Sequence, residues 1–218
     1  MATQTLAEAT LEAVVPPYWD DACKHLVKRD RVLKKLIPQF GEARLQSRGD
    51  AFATLARSIV GQQISVKSAQ SVWTRWVALM PKFQPLAVLG LTVDDQRAAG
   101  LSARKVEYLR DLAEHFNAGS VHVRQWAQMD DEAIIDELVA IRGIGRWTAE
   151  MFLIFHLMRP NVMPLDDVGL LKGISQNYFS GEPVSRAEAR EVGDAWAPYR
   201  SVAVWYIWRS LDPLPVDY

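Results

Sequence analysis

Gly143 and Gly145 stand one residue apart between two runs of apolar residues at helical spacing. A regular helix does not continue through that pair, because glycine frees the backbone and offers no side chain to pack. The spacing therefore predicts one helix over 132–141, starting at Asp130 or Asp131, a tight corner at Gly143-Ile144-Gly145, and a second helix over 146–158. The same punctuation repeats along the chain. Residues 1–15 read as a leader or short helix closed by Pro16-Pro17. Residues 19–37 read as a single helix, with Leu26, Val27, Leu33, Leu36 and Ile37 inward and Lys24, Lys28, Arg29, Arg31, Lys34 and Lys35 on a solvated face. A helix over 50–60 starts at Asp50, and Ala69, Val72, Trp73, Trp76, Val77 and Met80 mark another that Pro81 stops. Short helices follow over 84–90 and 93–99, then one over 103–116 capped by Ser102, and late ones over 167–178, 186–195 and 199–211. No run has the alternation of a strand, so the fold class is all-α, built of many short helices.

Composition narrows the function classes. The chain has 218 residues, 49% of them hydrophobic, enough for one large domain or two lobes around a shared core. The net charge of −1 gives no global basic footprint, so any nucleic-acid contact must be local. One cysteine, Cys23, cannot form a disulfide within the chain or hold a four-cysteine iron–sulfur cluster. The histidines, His25, His115, His122 and His156, have no metal-ligand spacing, and His156 reads as a packed residue. No stretch reaches the about 18 apolar residues of a membrane span. The N-terminus lacks the charge and apolar core of a signal peptide. A cytoplasmic monomer is expected, nucleoid-associated if bacterial.

The corner has its own chemistry. Amides ahead of a helix N-terminus gather partial positive charge, and a phosphate fits there. Arg146 and Thr148 would add donors. Taken alone, Gly-Ile-Gly reads as an ordinary helix corner with a glycine cap rather than as a phosphate site. Asp166 and Asp167, which follow Pro164, read by themselves as caps of the next helix, and at most one of them faces a given cleft.

Longer segments bear on both alternatives. The stretch LVAIRGIGRWTAEMFLIFHLMRPNVMPLDDVGLLKG resembles the helix-hairpin-helix (HhH-GPD) DNA glycosylases, in particular their DNA-3-methyladenine glycosylase II branch. FATLARSIVGQQISVKSAQSVWTRW, GLSARKVEYLRDLAEHF and YRSVAVWYIWR resemble further family segments in the same order, so the resemblance covers about residues 20 to 210. It implies a two-lobed all-α fold with the active site in the cleft between lobes. Over 1–218 those lobes would be 46–163, carrying the hairpin at 138–150, and 1–45 plus 164–218. By the resemblance, Asp167, 20 residues after Trp147, is the catalytic aspartate. Gly143 and Gly145 form the phosphate-binding hairpin. Gln63 fills the gap left by a flipped nucleotide. Trp147 and Trp208 line the base pocket. The carbonyls of Val139, Ile141 and Ile144 match positions that hold a monovalent cation bridging to DNA. The chain departs from a bacterial relative at Met151, a pocket position with tyrosine there, and at Gln63, which replaces a leucine wedge. An N-terminal β-rich domain is expected to be absent.

The implied partner is double-stranded DNA carrying alkylated bases, with no membrane contact. A base in a duplex must be extruded, at a cost of a few kcal/mol, before its glycosidic bond can be reached. An alkylated base such as 3-methyladenine or 7-methylguanine is cationic and already a good leaving group. One carboxylate then suffices where ordinary glycosidases use two. Trp147 occupies the place of the lysine that forms a Schiff base in the lyase branch, and tryptophan cannot do that chemistry. The expected activity is therefore monofunctional hydrolysis that leaves an abasic site, without a cofactor beyond the cation. The alternatives are a non-catalytic DNA-binding module and a helical scaffold. Trp73, Trp76, Trp126 and Trp196 read as core, while Trp205 and Trp208 share one face of their helix.

Overall fold

The structure, a computed structural model, describes residues 14–47 and 50–212. Most of the leader expected over 1–15 lies outside them. The described residues form twelve α-helices: α1 Trp19–Arg29, α2 Arg31–Leu36, α3 Ala51–Gly61, α4 Val66–Val77, α5 Pro85–Gly90, α6 Val93–Ala98, α7 Ala103–Ala118, α8 Asp131–Val139, α9 Arg146–Phe155, α10 Val168–Tyr178, α11 Arg186–Asp194 and α12 Arg200–Leu211. Single 3-10 turns lie at Ile37–Phe40 and Trp126–Gln128. Among the described residues there is no strand, only an isolated antiparallel bridge between Val14 and Ser47. The all-α expectation holds.

The helices pack in two sets around one continuous apolar core. In one set α7 lies against α3, α5 and α6, while α9 packs on α8 and α3. In the other, α12 lies against α1, α2 and α10, and α10 against α11. Trp76, Trp126 and Trp196 are fully buried as expected, whereas Trp73 is half-buried with the Arg57 guanidinium over its ring. His156 is packed too: its ring stacks on Phe152, its Nδ1 meets the Thr54 hydroxyl, and burial lowers its pKa below the usual histidine range.

Two expected helices are shorter than their spacing suggests. The helix read over 19–37 breaks at Asp30, whose extended backbone ends α1 and whose carboxylate caps α2 by accepting from the amides of Val32 and Leu33. The same carboxylate accepts from Tyr178 Oη and Trp196 Nε1, so a residue within a basic stretch joins three elements. The helix read over 146–158 ends at Phe155, because Met158 turns left-handed at φ 53°.

The segment joining α9 to α10 is fixed by the start of α12. The Ser201 hydroxyl accepts from the Val162 amide at 2.9 Å, and its own amide donates to the Pro160 carbonyl. Arg200 donates to the Asn161 side chain. These ties set where the chain enters α10, and hence where Asp167 stands.

Candidate active site

Asp167 is the N-cap of α10: its Oδ1 accepts from the Leu170 amide at 2.5 Å. Asp166, the other residue read as a cap, does not cap α10 and forms an exposed ion pair with Arg186. The cap alone does not account for Asp167. Trp208 Nε1 donates to its Oδ1 and Trp147 Nε1 to its Oδ2, each at 2.8 Å. A carboxylate has about four acceptor positions. Three are filled, and the remaining one is on Oδ2. The half-buried carboxylate is thus held by α9, α10 and α12 together, with one acceptor position left for a further partner.

Both indoles are oriented by these bonds. Trp147 remains 41% exposed, while Trp208 is half-buried and stacked on Phe155 with ring centroids 5.6 Å apart. Phe155 escaped the sequence reading because its position at the end of an apolar helix looks like any core position. Met151 lies four residues from Trp147 on α9 but is buried, 6% exposed.

The hairpin is braced from α7. Gly143 has φ +85°, and a Cβ there would lie 2.3 Å from the Tyr108 ring. The residue must be glycine on both counts. The Arg142 amide donates to Asp111, and Gln62 Nε2 donates to the Gly143 carbonyl at 2.8 Å. Lys105 Nζ meets the last-turn carbonyl of Val60 in α3, and burial lowers its pKa. Sequence reading missed Gln62, Tyr108 and Asp111. The three-residue spacing of Lys105, Tyr108 and Asp111 puts them on one helix face, but nothing in it names the hairpin as the partner of Tyr108 and Asp111, or α3 as that of Lys105. Gln63 follows Gln62 in the turn between α3 and α4, exposed and left-handed at φ 58°.

Gly145 differs from Gly143. Its φ is −93°, and a Cβ would meet nothing within 4 Å. It opens space at the N-terminus of α9, which no side chain caps. Thr148 is half-buried in that first turn. Arg146, expected as a phosphate donor, is engaged elsewhere. It forms two bonds to Glu132, at 2.6 and 2.8 Å, and one to the buried Glu150. Carboxylates within reach claimed the guanidinium, as its planar fork favours. Burial raises the Glu150 pKa, against the opposing pull of Arg146.

Residues 56–198, well over half of the chain, match the family of HhH-GPD superfamily base excision DNA repair proteins. The chain belongs to this superfamily. It is 30% identical over 182 residues to the DNA-3-methyladenine glycosylase 1 of Schizosaccharomyces pombe, covering 82% of this chain and 80% of that one. Among solved structures, it resembles a Schizosaccharomyces pombe 3-methyladenine DNA glycosylase in complex with abasic DNA, with TM-score 0.77 and 29% identity. That match covers 90% of this chain and all of the other. It also resembles a Bacillus halodurans DNA-3-methyladenine glycosidase, with TM-score 0.83, 33% identity and 93% of each chain covered.

For an HhH-GPD chain, the hairpin between α8 and α9 has the donor chemistry expected for a cation. Val139 ends α8, where carbonyls carry partial negative charge. The Ile141 carbonyl accepts from the Ile144 amide and keeps a second lone pair. Backbone oxygens of this kind suit a hard cation. Among the described residues no group of His, Cys, Asp and Glu side chains could hold a metal. No helix among them is long and apolar enough to cross a membrane.

Proposed function

We propose that the chain is a monofunctional DNA glycosylase of the DNA-3-methyladenine glycosylase II type. It hydrolyses the N-glycosidic bond of alkylated bases flipped from duplex DNA and leaves an abasic site. The observation that carries this reading is the Asp167 carboxylate held between two indole N–H donors and the Leu170 amide. A non-catalytic DNA-binding module would have no use for a carboxylate so placed.

The chemistry follows from these residues. The α9 amides beside Gly143 and Gly145 would bind a phosphate, and Gln63 would enter the space the base leaves. The two sets of helices would be the lobes 46–163 and 1–45 plus 164–218, with the base between them. A cationic purine over an indole face gains about 0.5–2 kcal/mol, which suits Trp147 and Trp208. As the glycosidic bond breaks, positive charge develops on the sugar, and the fixed Asp167 carboxylate stabilises it. The open position on Oδ2 can accept a proton from the attacking water. Trp147 offers no amine for a Schiff base, so the product is an intact abasic strand. A monovalent cation on the carbonyls of Val139, Ile141 and Ile144 would add positive charge at the phosphate. A cytoplasmic location fits this reading.

The test is incubation with a duplex containing 7-methylguanine. Free base should appear, and the strand should break only after alkali. Strand cleavage without alkali would refute the monofunctional assignment, and no base release would refute the glycosylase itself.

A further inference from the structure

Gly169 has no conformational reason to be glycine. It is the second residue of α10, and its φ lies outside the left-handed range. Alanine is the better helix former at such a position. The space around it supplies a reason. A Cβ on Gly169 would lie 3.1 Å from Asp167 Oδ1, 3.5 Å from Trp208 Cδ1 and 3.6 Å from Trp208 Nε1. These are the two partners of one hydrogen bond. A methyl at 3.1 Å from an oxygen is tight enough that the oxygen must give way by a few tenths of an ångström. Oδ1 is already held by the Leu170 amide at 2.5 Å and by Trp208, so it cannot yield without lengthening one of those bonds.

Gly173, one turn further on, provides a contrast on the same helix. Its Cβ would lie 2.4 Å from Ile207 Cγ2 and 3.2 Å from the Ile207 carbonyl, so it is needed for α10 to pack on α12. At Gly169 the three nearest atoms are a carboxylate oxygen and an indole edge, with no backbone among them. One glycine serves the packing of helices, and the other serves the carboxylate.

We propose that Gly169 is a positioning residue for catalysis, whose missing side chain lets Trp208 and Asp167 meet. It acts through Asp167 and touches neither base nor sugar. The proposal rests on the glycosylase reading above, and it predicts that stability and activity move in opposite directions. Gly169→Ala should unfold at the same temperature as wild type or higher. It should bind an abasic duplex within twofold of wild type and release 7-methylguanine at least tenfold more slowly under single turnover, because small displacements at the reacting atoms carry large rate costs. The Trp208 indole N–H resonance, assigned by its loss in Trp208→Phe, should move. Gly173→Ala should instead lower the unfolding temperature. In a Trp208→Phe background, Gly169→Ala should cost less than threefold further, since the bond it disturbs is already gone.

Wild-type release by Gly169→Ala would overturn the proposal. So would a fall in its unfolding temperature like that of Gly173→Ala, or an undiminished tenfold loss in the Trp208→Phe background. Should the wild-type chain release no methylated base, the glycosylase reading fails by itself. The Trp208 resonance and the unfolding temperatures then decide the packing claim: a moved resonance at undiminished stability upholds it, and an unmoved one overturns it.

Discussion

At Asp167 the helix cap and the proposed catalyst are the same side chain. Read as a sequence, the aspartate pair offers two caps and no way to choose between them beyond the family resemblance. The two carboxylates differ once α12 is in place, because Trp208 arrives from 41 positions away to occupy Oδ1 of Asp167, and Trp147 takes Oδ2. That Trp147 and Trp208 are hydrogen-bond donors to the carboxylate was invisible in the sequence, where they stood only as aromatic surfaces. Trp147→Phe separates the two properties, since it keeps a ring and removes the donor. A hydrogen bond to a charged group contributes roughly 1.5–3 kcal/mol, and each 1.36 kcal/mol is about tenfold in rate. Base release by Trp147→Phe should fall about tenfold or more in a single-turnover assay, with abasic-duplex affinity nearly unchanged. An unaltered rate would remove the donor from the mechanism.

At the scale of elements, the hairpin was legible in its corner and illegible in its supports. Gly143-Ile144-Gly145 announces the turn, and Asp50, Ser102 and Asp130 cap the helices expected of them. The bracing by Gln62, Tyr108 and Asp111 depends on contacts across the fold, which local spacing does not encode. Arg146 illustrates the same limit. Its place beside the glycines suggests phosphate, and spacing does not show that Glu132 and Glu150 also lie within its reach and bond it. The two glycines should respond differently to alanine. Gly143→Ala incurs a left-handed backbone, about 1–3 kcal/mol, and a clash with Tyr108. It should lower the unfolding temperature by several degrees in calorimetry. Gly145→Ala meets no protein atom and should leave that temperature unchanged, while weakening duplex binding if an incoming phosphate needs the space. Equal stability losses in the two variants would contradict the distinction between them.

On the scale of the molecule, two sets of helices meet along a shared core, and α9, α10 and α12 converge on one carboxylate. The class and order of helices were readable because apolar spacing and caps are local signals. The break at Asp30 was not, since its carboxylate is fixed by Tyr178 and Trp196, far along the chain. His156 makes the stability of the whole domain depend on pH. Burial lowers its folded pKa below the unfolded value of 6.5. The unfolded chain therefore takes up the proton first, and stability falls as pH drops below about 6.5. Unfolding temperatures measured from pH 7.5 downward should decline over this range, and His156→Gln should flatten the decline. An identical slope in the variant would rule His156 out as its source.

The central claim is that these convergent elements exist to hold the Asp167 carboxylate at a glycosidic bond. Single-turnover release of 7-methylguanine by Asp167→Asn, measured beside its affinity for an abasic duplex, tests it most directly. The amide keeps the shape and removes the charge, so release should fall by at least two orders of magnitude while the duplex still binds. Release at the wild-type rate would contradict the account.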